Sequence, residues 1–144
     1  MTRIFGLIAI LVLAGCGGGS GDGKAAGGGD PLADTVWELR TIAKTAVLDD
    51  VAVTAEFKEG RIGGKASCNQ YFASYEVKGD SLRIGPAGAT KMMCPEPIMA
   101  QEDLFLAFLQ DAKTFRIEGG QLHIARSDGE TLTFAPAPTG QPKE

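Results

Sequence analysis

The chain has 144 residues, enough for one small domain with a core of its own. Its formal net charge is −4, from 14 basic and 18 acidic residues, so it lacks the basic excess that a nucleic-acid-binding surface needs. After Leu13 no apolar run is long enough to span a bilayer as a helix.

The first element in chain order is a processing segment. Arg3 supplies a positive charge, and Ile4 to Leu13 is an apolar run of signal-peptide length. Leu13-Ala14-Gly15-Cys16 has the form of a bacterial lipobox, whose small residues at 14 and 15 let a lipoprotein signal peptidase cut before Cys16. Residues 1–15 are thus expected to be a signal peptide, with Cys16 lipidated. Each buried CH₂ contributes about 0.8 kcal/mol and one acyl chain holds only marginally, so several chains (palmitate among them) are expected on Cys16. Gly17, in place of an aspartate, resembles the sorting pattern of outer-membrane lipoproteins. The expected address is the bacterial cell envelope, lipid-anchored at the outer membrane and facing the periplasm, with the membrane reached only through the N-terminal lipid.

Residues 16–31 read as a Gly-rich flexible tether with almost nothing to bury. Within it, Gly18 to Ala25 (GGSGDGKA) nearly matches the phosphate-binding pattern G-x-x-x-x-G-K-[ST]. That motif requires a buried strand before it and a hydroxyl at its end; here a signal segment precedes it and Ala25 has no hydroxyl. It reads as linker.

Residues 32–136 form the expected domain, followed by a disordered tail at 137–144. From Thr35 the apolar residues alternate with period two. TVWELRTI reads as a first strand with Trp37, Leu39 and Thr41 on one face, and VAVTAEFKEG as a second with Val53, Ala55 and Phe57 inward before a Glu59-Gly60 turn. RIGGKAS, YFASYEV and SLRIG continue the series, the last after a turn at Gly79-Asp80. PEPIMAQEDLFLAFLQDAK changes period: Ile98, Gln101, Phe105, Phe108 and Ala112 recur at helical spacing, with Leu104 and Leu109 widening the stripe. Pro97 suits the helix start, and Glu96, Glu102 and Asp103 lie towards its positive end. TFRIE-GG-QLHIA is a hairpin signal, because the two glycines supply the positive φ of a primed turn. TLTFA closes the series with Leu132 and Phe134 inward. The fold class is mostly β (α+β): a strongly curved antiparallel sheet or partly open β-barrel packed on one amphipathic helix.

Three cysteines are an odd number for an exported chain. Lipidation of Cys16 resolves the count and leaves Cys68 and Cys94 to pair, in preference to a zinc or redox site, since there is no C-x-x-C and only one histidine. Closing that loop stabilises the fold by roughly 3.5 kcal/mol on the chain-entropy model. The single histidine, His123, lies between Leu122 and Ile124, so strand alternation sends it outward. No metal-ligand spacing, cofactor motif or paired nucleophile and base is present, and no catalytic residue, metal or cofactor is expected.

The segments VWELRTI, VTAEF, SCNQYFASYEV, LRIGPAGATKMMC, MAQEDLFLAFL and QLHI, in that order, resemble the META domain, a family that includes the heat-inducible HslJ lipoproteins. The elements that carry the resemblance are the CN-x-x-x-x-x-Y core at Cys68, Asn69 and Tyr75, the T-x-M-x-C element at Thr90, Met92 and Cys94, and Gln101-Glu102 at the helix start. Where the family has Gly-Cys-Asn, this chain has Ser67-Cys68-Asn69. The resemblance implies a compact envelope domain with a role in heat response or novobiocin resistance and no established catalysis. Structural roles are expected for Trp37, Asn69, Tyr75, Thr90, Met92 and Glu102. Asn69 can bond turn backbone, Tyr75 can bury its ring, and Glu102 can ion-pair or accept a backbone bond near the helix start. The expected function is a monomeric, non-catalytic interaction module contacting other envelope proteins; the alternative is a periplasmic carrier of a lipid or small hydrophobic ligand.

Overall fold

The computed structural model describes residues 29–138. The expected signal peptide, Cys16 and most of the tether lie outside these residues, as does the end of the expected tail.

Ten strands and one helix follow in the order β1 (Thr35–Ile42), β2 (Thr45–Ala46), β3 (Thr54–Lys58), β4 (Arg61–Lys65), β5 (Gln70–Lys78), β6 (Ser81–Ile84), β7 (Gly88–Ala89), α1 (Glu96–Gln110), β8 (Ala112–Glu118), β9 (Gln121–Arg126) and β10 (Thr131–Pro136). All pairings are antiparallel, in the order β1-β3-β4-β5-β6-β8-β9-β10, and β10 returns to β1. The sheet therefore closes into an eight-stranded barrel, with β2 and β7 as short additions on β1 and β5. The weakest seam is β6 to β8, joined in register only at Ser81 and Thr114.

Alternation decides which side chains enter the barrel. Trp37, Leu39, Val53, Ala55, Phe57, Tyr71, Ala73, Tyr75, Leu82, Ile84, Leu122, Ile124, Leu132 and Phe134 are all buried, as the period-two pattern requires. Thr41 departs from its expected inward place. Leu39 faces Phe134 and Thr41 faces Thr133, so Arg40 is an extra residue in β1 and the phase flips there. Ile42 is buried in place of Thr41. The β3–β4 and β8–β9 hairpins turn on Glu59-Gly60 (φ 51° and 74°) and Gly119-Gly120 (φ 58° and 75°), the paired positive φ of a type I′ turn.

The helix α1 carries Pro97 in its first turn and buries Glu102, Phe105, Phe108 and Leu109. The expected stripe is narrower than its sequence suggested: Leu104 is 51% exposed, and Ala112, though buried, belongs to β8. Phe57, Phe105, Phe108 and Phe134 are fully buried, and edge-to-face pairs of Phe57 with Tyr75 (5.0 Å) and Tyr71 with Phe105 (5.3 Å) tie sheet to sheet and sheet to helix. The guanidinium of Arg126 lies 4.6 Å above the Phe108 ring and covers that end of the interior.

Candidate functional site

The residues singled out by the sequence converge at the corner between β4 and β5. There Ala66 donates its N–H to the Asn69 carbonyl at 2.7 Å, closing a tight turn, and Ser67 adopts φ 149°. That backbone conformation favours glycine, which explains the glycine of the family pattern at this place. Ser67 tolerates it while its hydroxyl accepts a hydrogen bond from Gln101 Nε2 at 2.9 Å. Gln101 also accepts the Leu48 N–H on Oε1 at 2.7 Å, so one helix side chain ties two loops.

Asn69 is buried and uses its whole side-chain capacity. Its Nδ2 donates to Glu102 Oε1 (2.6 Å) and to the Met92 carbonyl (3.2 Å). Its Oδ1 accepts from the Thr90 hydroxyl (3.0 Å) and the Met92 N–H (2.6 Å). Thr90 in turn accepts the Gln70 N–H at 3.1 Å. Glu102 reaches from α1 into the turn and accepts the N–H groups of Cys68 (2.8 Å) and Asn69 (2.7 Å) on Oε2. The disulfide Cys68–Cys94, with Cα atoms 6.0 Å apart, ties the same turn to the residue just before the helix.

Two expectations are corrected here. Glu96, Glu102 and Asp103 do not form an acidic group at the helix start: Glu96 and Asp103 are exposed, whereas Glu102 faces inward as an acceptor for β5. Met92 contributes through its main chain alone, and its side chain is 55% exposed beside Met93 at 87%.

Other motif residues serve the barrel. Trp37 donates Nε1–H to Thr35 Oγ1 at 2.7 Å. The Tyr75 hydroxyl donates to Asp30, and burial, reinforced by that carboxylate, holds the phenol well above its ordinary value near 10. Asp30 also accepts the Leu32 N–H at 2.9 Å, so a residue read as tether fastens the barrel's edge. At the other end, Ala137, read as tail, donates its N–H to the Val36 carbonyl at 3.1 Å. Sequence reasoning missed Tyr71, whose hydroxyl donates to the Thr54 carbonyl at 2.9 Å and whose pKa burial pushes up even further. Its place two residues after Asn69, in phase with Ala73 and Tyr75, was the available signal.

Every buried side-chain nitrogen and oxygen among the described residues has a hydrogen-bond partner. His123 faces outward in a shallow groove of about 170 Å³ with Asp80, Thr114 and Arg116, and its Nδ1 lies 3.3 Å from Thr133 Oγ1. Among the described residues no group of three His, Cys, Asp or Glu side chains is placed to hold a metal ion. No helix among them is long and apolar enough to cross a membrane.

The sequence matches the family model of the META domain over residues 30–139, beginning at the aspartate that fastens Tyr75. Among solved structures, the chain is similar to an NMR structure of a protein from Burkholderia xenovorans, with 26% identity over 74% of this chain and 84% of that one and a TM-score of 0.62. A second NMR structure is 21% identical over 75% and 93% of the two chains, with a TM-score of 0.61. A DUF4847 family protein from Bacteroides vulgatus is 13% identical over 76% and 97%, with a TM-score of 0.57. The last two likenesses are of fold alone. Comparison with curated proteins gives no match.

Proposed function

The chain belongs to the META domain family, and from that premise we propose that it is a lipid-anchored, non-catalytic interaction module of the bacterial envelope, contributing to stress tolerance by presenting the Lys91–Met93 loop to a partner protein. One observation carries this reading. The family-motif residues spend their polar groups on one another, and what they hold rigidly outward is a pair of methionines exposed by 55% and 87%. A loop fixed by a disulfide and by the Asn69 side chain has little ordering entropy left to lose on binding. Methionine side chains adapt to irregular apolar pockets in a partner. The anchor rests on the lipobox and Cys16. A carrier for a lipid or small apolar ligand is the weaker reading, because four phenylalanines fill the barrel's interior.

The test uses the full chain restored to a strain that lacks it, challenged by heat or an envelope-active antibiotic. Wild-type protein is expected to restore growth. M92S/M93S should reach the envelope at normal abundance and fail to restore it, and C16S should remain an unprocessed precursor and also fail. Full protection by M92S/M93S would remove the loop as the interface. Turnover of ester, peptide, phosphate or glycoside substrates by the purified chain, clearly above the buffer rate, would overturn the non-catalytic assignment.

A further inference from the structure

The β6–β8 seam leaves an open strand edge in an otherwise closed barrel. Beyond the single register pair Ser81–Thr114, no described residue lies opposite Ile84 on the β8 side. The direction of its main-chain groups follows from the hairpin. Lys78 and Ser81 close the two-residue β5–β6 turn, and Gly85 donates its N–H to the Ser74 carbonyl at 2.9 Å. Alternate residues therefore point the other way, so Leu82 and Ile84 aim their main-chain groups at the seam. Lys113, the extra residue where the β8–β9 register shifts, bends β8 away on the other side.

The opening is a cleft of about 400 Å³, lined by β6 and by Glu76, Lys78, Gln110, Ala112 and Lys113. That volume lies within the range of sites that hold small ligands or short peptide segments. Gln110 bounds it at the helix C-terminus, donating Nε2–H to the Gly85 carbonyl at 2.9 Å. The lining charges are lopsided. Lys78, Arg83 and Lys113 face one carboxylate, Glu76, which stands opposite Arg83 across the strands, leaving a net +2 in a chain whose net charge is −4. Lys78, Arg83 and Lys113 are exposed, and none takes part in the ion pairs of the described residues.

We propose that this seam is a second docking site, which takes an extended, acidic segment of a partner protein as an added strand along β6. The free edge supplies main-chain hydrogen bonds, and the three cations supply the preference for acidic side chains, alternate residues of the guest strand reaching Arg83 and Lys113. The site is separate from the methionine loop. That loop precedes the helix and the cleft holds its last residue, so the 15-residue helix puts about 22 Å between them.

The experiment titrates the purified full chain, isotopically labelled in detergent, with end-blocked heptapeptides in which glutamate alternates with each apolar residue type. Matched sets carry lysine in place of glutamate, or proline at the central position. Acidic peptides are expected to shift the amides of Leu82, Arg83 and Ile84, and to bind at least tenfold more tightly than the lysine set. The central proline should weaken them, because it removes a main-chain donor. R83E/K113E, both at exposed positions, should lose at least tenfold for acidic peptides and gain affinity for lysine peptides. M92S/M93S should leave this binding unchanged, which separates its outcome from that of the loop. Three results would overturn the proposal: no acidic peptide binding, equal binding of both charge sets, or inorganic phosphate producing the same amide shifts while the peptides do not.

Discussion

Asn69 is a side chain with two donors and two acceptor lone pairs, and all four are used inside the corner. Such a residue has no isosteric replacement. In Asn69→Asp, Oδ1 still accepts from Thr90 and Met92, but a second carboxylate now faces Glu102 Oε1 where an N–H stood 2.6 Å away. Repulsion between buried like charges predicts a loss of at least about 3 kcal/mol. Glu102→Gln keeps one oxygen for the Cys68 and Asn69 N–H groups but sets an amide donor against the Asn69 amide donor, which predicts about 1–3 kcal/mol. Combined, the two changes exchange donor for acceptor across the same contact. The double variant N69D/E102Q should therefore be more stable than N69D alone. Urea unfolding of the four proteins measures this as a coupling energy, and simple additivity would show that the Asn69–Glu102 contact does not hold the corner.

At the level of elements, the strands were legible because one face of each is buried, so the alternation carries their positions and phase. The departures have local causes that no single stretch of sequence contains. The Arg40 bulge is visible only in the pairing of β1 with β10, a neighbour nearly a hundred residues away. The acceptor role of Glu102 depends on β5 lying against α1, and the attachment of Asp30 on Tyr75 lying beside it. Motif positions could thus be named from sequence, whereas the contacts that give them roles are long-range. Gly64 shows the same dependence. It has φ 152°, and a Cβ there would lie 2.6 Å from both the carbonyl oxygen and Oγ1 of Thr54, the residue that also accepts from Tyr71 and Lys65. Gly120 sits at φ 75° with nothing within 4 Å of a Cβ. Gly120→Ala should cost about 1 kcal/mol from backbone strain alone. Gly64→Ala adds a clash with fixed backbone and should cost at least about 3 kcal/mol. Thermal unfolding ranks the two, and equal losses would mean that Thr54 yields freely.

For the whole molecule, closure of the barrel places the chain's only two tyrosines in the same predicament. Tyr71 is 2% exposed and Tyr75 5%, the first with its hydroxyl on a carbonyl, the second with its hydroxyl on a carboxylate. Burial raises both phenols above their ordinary value near 10, and for Tyr75 the Asp30 carboxylate adds to the rise. The native barrel thus keeps both protons in alkali, while the unfolded chain releases them once pH passes about 10. Because the folded-state values are raised, this contribution to stability is fully present below pH 10 and is lost as pH climbs above it. Each tyrosine then removes about 1.4 kcal/mol per pH unit. The expected behaviour is a steep alkaline unfolding in which tyrosinate absorbance rises together with loss of sheet structure, with no earlier titration of native tyrosine. Tyr75→Phe and Tyr71→Phe should each be less stable at pH 7, through the lost hydroxyl contact, yet lose stability less steeply between pH 10 and 11.5. Lysine and arginine titration is common to all three proteins, so it cancels in the comparison of slopes. Tyrosinate appearing near pH 10 in a protein that still retains its sheet signal would show that the phenols are not held by the closed barrel.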